Sequence, residues 1–254
     1  IFASLAIPLA FDAQTTAAMW AVEGAGLIWL GLRQQRKLPR AFGVLLQLGA
    51  GIGFLSAIDS LQPERFVHNV AYLGTVMLSV SAVASSFWLH RDRGRLATYE
   101  RGSAQLFALW GVAWWLCGGL YQIVGFLHPA ILGSALLYPS FTRAVLARLG
   151  HRRNWMAALS IAWWLPAVSG IFALAYAATL THPFAEYGAR GWLAWFSVQY
   201  LLLYAADRHE QYAAPGKVIL HAGACWLLVL LPAIEVSWQL SQHVSGVWSA
   251  LPWG

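Results

Sequence analysis

Charged side chains are scarce in this sequence. Asp, Glu, Lys and Arg make up 10% of its 254 residues, where an ordinary soluble domain carries about 25%. A soluble fold must cover its surface with polar groups, and this chain has too few. The shortage excludes a soluble enzyme, a disordered tail and a nucleic-acid module. Cysteine is scarce as well. Cys117 and Cys225 are the two present, each inside an apolar stretch and without a CxxC. That excludes a disulfide framework, and both are expected to pack as small apolar residues. Familiar catalytic signatures are missing. There is no GxSxG, and His209-Glu210 lacks the second His of a zincin. Gly49–Gly53 is no phosphate loop, because no strand precedes it and no Lys-Ser/Thr follows. Neither a metal nor a cofactor is expected. The first apolar run, Ile1–Phe11, has no initiating Met and no basic leader, and the chain stops abruptly at Pro252-Trp253-Gly254. A fragment internal to a longer membrane protein is expected.

Apolar residues are abundant, at 59%, and the mean hydropathy is +0.57. A bilayer core of about 30 Å needs roughly 20 apolar helical residues. Scanning for such runs predicts about nine spans. They are Ile1–Phe11, Thr15–Leu32, Arg40–Ile58, Val67–His90, Ser103–Leu127, Ala130–Leu146, Trp155–Leu180, Trp192–Ala206 and Val218–Leu240. No run alternates as a barrel strand would. The expected fold is all-α, a polytopic transmembrane helix bundle forming one domain over residues 1–254.

The basic residues alternate with the spans. Arg33, Arg36, Lys37 and Arg40 fall on one side, with Arg91, Arg93, Arg95 and Arg101, then Arg143, Arg148, Arg152 and Arg153, then Arg208 and Lys217. The other side holds only Arg65 and Arg190. The positive-inside rule makes the crowded side cytoplasmic, with the first residue inside and the last outside. The net charge of +6 therefore reports topology and contact with lipid headgroups, and no nucleic acid is expected. Membrane lipids and the remaining helices of the full-length protein are the partners this composition implies. Of the 15 Trp, many sit near span ends, where an indole keeps its N–H wet. Trp114-Trp115 and Trp163-Trp164 lie deeper and read as packing residues.

Small residues mark helix contacts. Ala104, Gly111, Gly118 and Gly125 recur every seven residues, and Gly49 and Gly53 form a GxxxG. Polar residues within spans are the candidates for chemistry, because a charge at the bilayer centre costs about 2.5–3.5 kcal/mol even on insertion scales. Glu23 sits near the middle of its span. Two readings stay open for it: a proton or cation relay or substrate ligand, and a structural carboxyl held through Trp20 or Gln47. His221, Glu235 and Gln239 share one stripe with Cys225 and Pro232. Pro232 should free a carbonyl there, so the stripe either lines an aqueous cavity or packs on another helix. The outer loops gather Asp59, Glu64, His68, His182 and Glu186, types suited to acid–base work but without diagnostic spacing.

Ala6-Ile7-Pro8-Leu9-Ala10-Phe11-Asp12, Trp20-Ala21-Val22-Glu23-Gly24-Ala25, Trp29-Leu30-Gly31-Leu32-Arg33, Arg40-Ala41-Phe42-Gly43 and Leu109–Leu120 resemble the DUF2339 family of bacterial predicted membrane proteins. The Trp-x-x-Glu-Gly unit at Trp20, Glu23 and Gly24 carries the likeness, and Val22 stands where Leu is expected. The resemblance implies a longer multispan protein of the bacterial inner membrane, concerned with the cell envelope, and it supplies no catalytic residues.

Three functions compete. A transport component would use Glu23 and Glu235 along a path. A membrane-embedded enzyme acting on a lipid or lipid-linked glycan would use the outer cluster. A structural or assembly scaffold would use the polar residues only to join helices.

Overall fold

The computed structural model of the chain describes residues 13–56, 65–180, 182–208 and 216–243. The predicted span at Ile1–Phe11 lies outside them. Among the described residues there are eight α-helices, two 3-10 turns and no strand. The helices are α1 (Ala13–Arg33), α2 (Lys37–Ser56), α3 (Val70–Arg91), α4 (Ser103–Phe126), α5 (Ile131–Arg153), α6 (Met156–Ala177), α7 (Gly188–Arg208) and α8 (Lys217–His243). Five are long and apolar enough to cross a membrane: α2, α3, α4 with its lead-in from Thr98, α6 and α8. Helices α1, α5 and α7 have 21, 23 and 21 residues but carry more polar groups, among them Glu23, Arg143 and Gln199.

The described residues divide into two compact units. The first takes α1–α4 with Trp155–Ala158, and the second takes α5, the rest of α6, α7 and α8. In the first unit, α1 buries Ala17, Ala21, Gly24, Ile28 and Gly31, alternating four and three apart. Helix α2 answers with Arg40, Gly43, Gln47, Ala50 and Phe54. The two antiparallel backbones meet where these rows cross. A Cβ on Gly24 would lie 2.6 Å from the Gly43 carbonyl oxygen, and one on Gly43 would lie 2.5 Å from that of Gly24. Only glycine permits this approach. Helices α3 and α4 meet through hydroxyls and small residues. Ser86 Oγ donates to the Ala104 carbonyl at 2.6 Å, Gly111 faces Ser79 and Val83, and Gly118 faces Thr75.

The seven-residue stripe therefore holds at 104, 111 and 118. It fails at Gly125, which faces open space, because a straight helix drifts off a seven-residue repeat. The GxxxG reading is corrected too. Gly53 faces open space, whereas the neighbouring Gly51 meets the Trp110 ring. Both cysteines are exposed on the outer faces of their helices and do not pack inside. Trp114 is buried edge-on to Phe54 and Trp110, with ring centroids 5.4 and 5.6 Å away. Trp163 is buried as well, whereas Trp164 is exposed.

In the second unit, α5 and α7 cross at Gly133 and Gly191, where a Cβ on Gly191 would lie 2.8 Å from the Gly133 carbonyl oxygen. Trp192, Trp195, Leu132, Leu136 and Leu231 form the core. Two of the basic residues that the sequence counted on the crowded side prove to be buried. Helix α5 runs on through Arg153, so Arg143 lies inside it and is 2% exposed. Its position follows from a proline. Pro166 has no N–H and cannot donate to the Ala162 carbonyl one turn back. Arg143 Nε donates to that oxygen instead, at 2.9 Å. The second is Arg40 in the first unit, 4% exposed. Its Nε and Nη2 donate to Glu100 Oε1 and Oε2 at 3.0 and 2.8 Å.

Candidate functional site

The polar residues singled out in the sequence separate into several places. Glu23 is half-buried on α1, immediately before the Gly24 crossing. Gln47 is buried one turn along α2 from Gly43, and its Nε2 donates to Ser85 Oγ at 2.7 Å. Ser85 in turn donates to the Ser81 carbonyl at 2.8 Å. Gln47 thus links α2 to α3 through a hydroxyl chain, which satisfies polar groups that lipid would leave bare. In the same unit, buried Gln122 accepts from the Val67 N–H at 3.0 Å and from Asn69 Nδ2 at 2.9 Å. These bonds pin the segment before α3. His68 lies between those residues with an exposed side chain. Asp59 and Glu64 lie outside the described residues.

The second unit draws its pair from both predicted sets. His182, just after α6, meets Glu235 of α8, with Nδ1 and Oε2 2.6 Å apart. Their side chains are 18% and 17% exposed. Gln239 Nε2 donates to the other carboxylate oxygen at 3.0 Å. The Trp238 indole stacks on the His182 ring with centroids 4.0 Å apart and planes 20° apart. Glu235, Trp238 and Gln239 sit at i, i+3 and i+4, so one helix face supplies three sides of this arrangement. That spacing is visible in the sequence. The partner His182 is not, because it arrives from a different segment.

Glu186 works separately. Its Oε2 accepts from Tyr176 Oη at 3.2 Å and from the Leu132 N–H at 3.4 Å. Its carbonyl accepts from the Gly133 N–H at 3.1 Å. Leu132 and Gly133 open α5, where N–H groups lack partners within the helix, so Glu186 caps that helix. His221 lies fourteen residues before Glu235, about 21 Å along α8. There its Nε2 is 3.5 Å from Asp207 Oδ2. Asp207 also pairs with Lys217. That hydrogen bond holds the Asp207 carboxyl below its ordinary range. The predicted stripe on α8 thus serves two distant ends. Pro232 between them is exposed.

Among the described residues, no three His, Cys, Asp or Glu side chains converge as a metal site. A half-buried imidazole against a carboxylate can pass a proton between them or hold a small cation beside the carboxylate. Sequence reasoning did not single out Tyr176 or Asp207. Both lie beside predicted residues in space, Tyr176 ten residues before Glu186 and Asp207 fourteen before His221.

Neither curated proteins nor solved structures yield a match. The family model described as "Predicted membrane protein (DUF2339)" matches residues 1–254. The motif residues Trp20, Glu23 and Gly24 fall within that match, and the apolar helices agree with its description. The chain belongs to the DUF2339 family of predicted membrane proteins.

Proposed function

We propose that this protein is a transport component of the bacterial inner membrane and cell envelope that moves protons or small cations. The observation that carries the reading is the His182–Glu235 contact at 2.6 Å. Ionisable residues in a membrane bundle are expensive unless they serve a path or a partner. This pair joins a post-helix segment to a helix whose remaining surface is mostly exposed. In the proposed topology there are nine membrane segments, the basic loops are cytoplasmic, and the pair lies toward the outer side. Glu23 is then a second polar station within the membrane.

The test is ion flux in liposomes holding the full chain and an entrapped pH-sensitive dye. An imposed gradient should dissipate faster than in empty vesicles. Glu235→Gln and His182→Gln should remove most of that difference while folding normally, and His221→Gln should leave it intact. Flux equal to that of empty vesicles, or unchanged in both site variants, would overturn the reading. The topology has its own test. Cysteines introduced by Arg36→Cys, Arg93→Cys and Arg152→Cys should react only from the cytoplasm, and Glu64→Cys only from outside. Reaction of both sets from one side would sink it. The enzyme alternative at the outer face has weaker support, since Glu186 is engaged in capping α5 and His182 in pairing with Glu235.

A further inference from the structure

Within the second unit, α5 and α7 border an open cavity of about 570 Å³ with two different linings. Arg148, His151 and Arg152 of α5 line one part, and Leu201, Leu202 and Ala205 of α7 line another. The three basic side chains stand at i, i+3 and i+4, so the helix presents them on one face. Among the described residues, no carboxylate lines the cavity. Burial pushes the His151 imidazole below its ordinary value, so the two guanidinium groups carry the fixed charge. A free inorganic anion would use the basic part alone and leave the leucines without a role. An acyl chain without a charged head would leave the arginines without one. A molecule with an anionic phosphate head and a hydrocarbon tail satisfies both parts, and basic pockets between membrane helices bind such heads.

We infer that the α5–α7 cavity is a binding site for one anionic phospholipid. Arg148 and Arg152 take the phosphate, and the tail runs along Leu201 and Leu202. Arginine suits this task because its planar fork meets two phosphate oxygens at once. The site differs from general headgroup attraction in needing these two arginines in particular. Arg91 and Arg93 in the first unit lie outside it.

The experiment measures the melting temperature of the full chain in detergent with added phosphatidylglycerol, phosphatidylcholine or inorganic phosphate. Phosphatidylglycerol should raise it by several degrees and the other two should not. Arg148→Gln with Arg152→Gln should abolish the rise. Both side chains are exposed, so the double variant keeps its fold. Arg91→Gln with Arg93→Gln removes equal charge and should retain the rise. Leu201→Ser alters only the apolar lining and should weaken it. Equal stabilisation by phosphatidylcholine would overturn the proposal, and so would reproduction of the effect by phosphate alone. Equal loss in both arginine pairs would overturn it as well.

Discussion

The two units solve the same problem with different side chains. Each places a glycine pair where two helices cross, Gly24 with Gly43 in the first and Gly133 with Gly191 in the second. They then diverge. In the first unit Ser85, Ser86 and Gln47 link helices by short bonds, and one long donor, Arg40, pairs with Glu100. Ser86 reaches a carbonyl directly where α3 and α4 meet through small residues, whereas the longer Gln47 spans α2 and α3. The second unit has Pro139 within α5 and Pro166 within α6, and a proline leaves a carbonyl without its helical donor. Longer donors reach across to α6. Arg143 takes the Ala162 oxygen that Pro166 leaves without a donor, and Trp195 Nε1 adds a second link to α6 by donating to the Pro166 oxygen at 3.2 Å. Close approach lets Ser86 bridge α3 and α4, whereas the carbonyl that Pro166 frees is met by an arginine.

The contrast can be broken most severely at the first unit's crossing. Gly43→Leu places a branched chain where even a Cβ meets the Gly24 oxygen, and overpacking of this kind should cost more than about 3 kcal/mol. Gly53→Leu, facing open space, should stay within about 0.5 kcal/mol. Thermal melts of the two variants in one detergent decide this. Equal melting temperatures would show that the helices do not approach as described.

Next in size is Arg40→Met, which strands the Glu100 carboxylate. Removing one partner of a buried pair typically costs about 3 kcal/mol. Adding Glu100→Gln should recover part of the loss, and a double-mutant cycle by chemical denaturation measures how much.

A cycle on Arg143→Met and Pro166→Ala sharpens the second unit's side of the comparison. Restoring the N–H at position 166 gives the Ala162 oxygen a helical donor. Arg143→Met should therefore be less harmful once Pro166→Ala is in place, with a coupling of about 1 kcal/mol. No coupling would mean that the guanidinium is not answering the proline. Trp195→Phe keeps an aromatic ring but loses the N–H and part of the buried indole, so it should cost about 1–3 kcal/mol.

The smallest effect belongs to Asp207. Its folded carboxyl ionises below its ordinary value because Lys217 donates to it. The ionised pair thus favours the folded chain above about pH 4, and this contribution fades as the pH falls through the lowered value. Asp207→Asn should flatten that part of a melting-temperature profile between about pH 6 and 3, and a profile identical to the parent's would refute it.

Much of the architecture was legible beforehand because membrane helices announce themselves locally. A helix satisfies its own backbone, so about twenty apolar residues suffice to specify it. The runs around α2, α3, α4, α6 and α8 all coincide with helices. Boundaries were less legible where charge and helix coexist. The run ending at Leu146 was cut short by its arginines, yet α5 continues to Arg153. Hydropathy reads an arginine as a span end, whereas a helix carries one wherever a carbonyl needs a donor.

The site shows the same division. Periodicity placed Glu235 and Gln239 on one face of α8, because i and i+4 neighbours are fixed by helical geometry. It also placed His221 with them, although that residue turned to Asp207 at the far end of the helix. His182 and Glu235 are 53 residues apart, and no local rule links them. By itself the sequence determined that the chain is helical, that it suits a membrane and which family it belongs to, since each depends on composition or on short motifs. Tertiary structure alone decided which glycines carry the crossings, which arginines are buried and which acid meets which base. Those depend on the side-chain contacts between segments, and one chain's local pattern does not encode its neighbour's position.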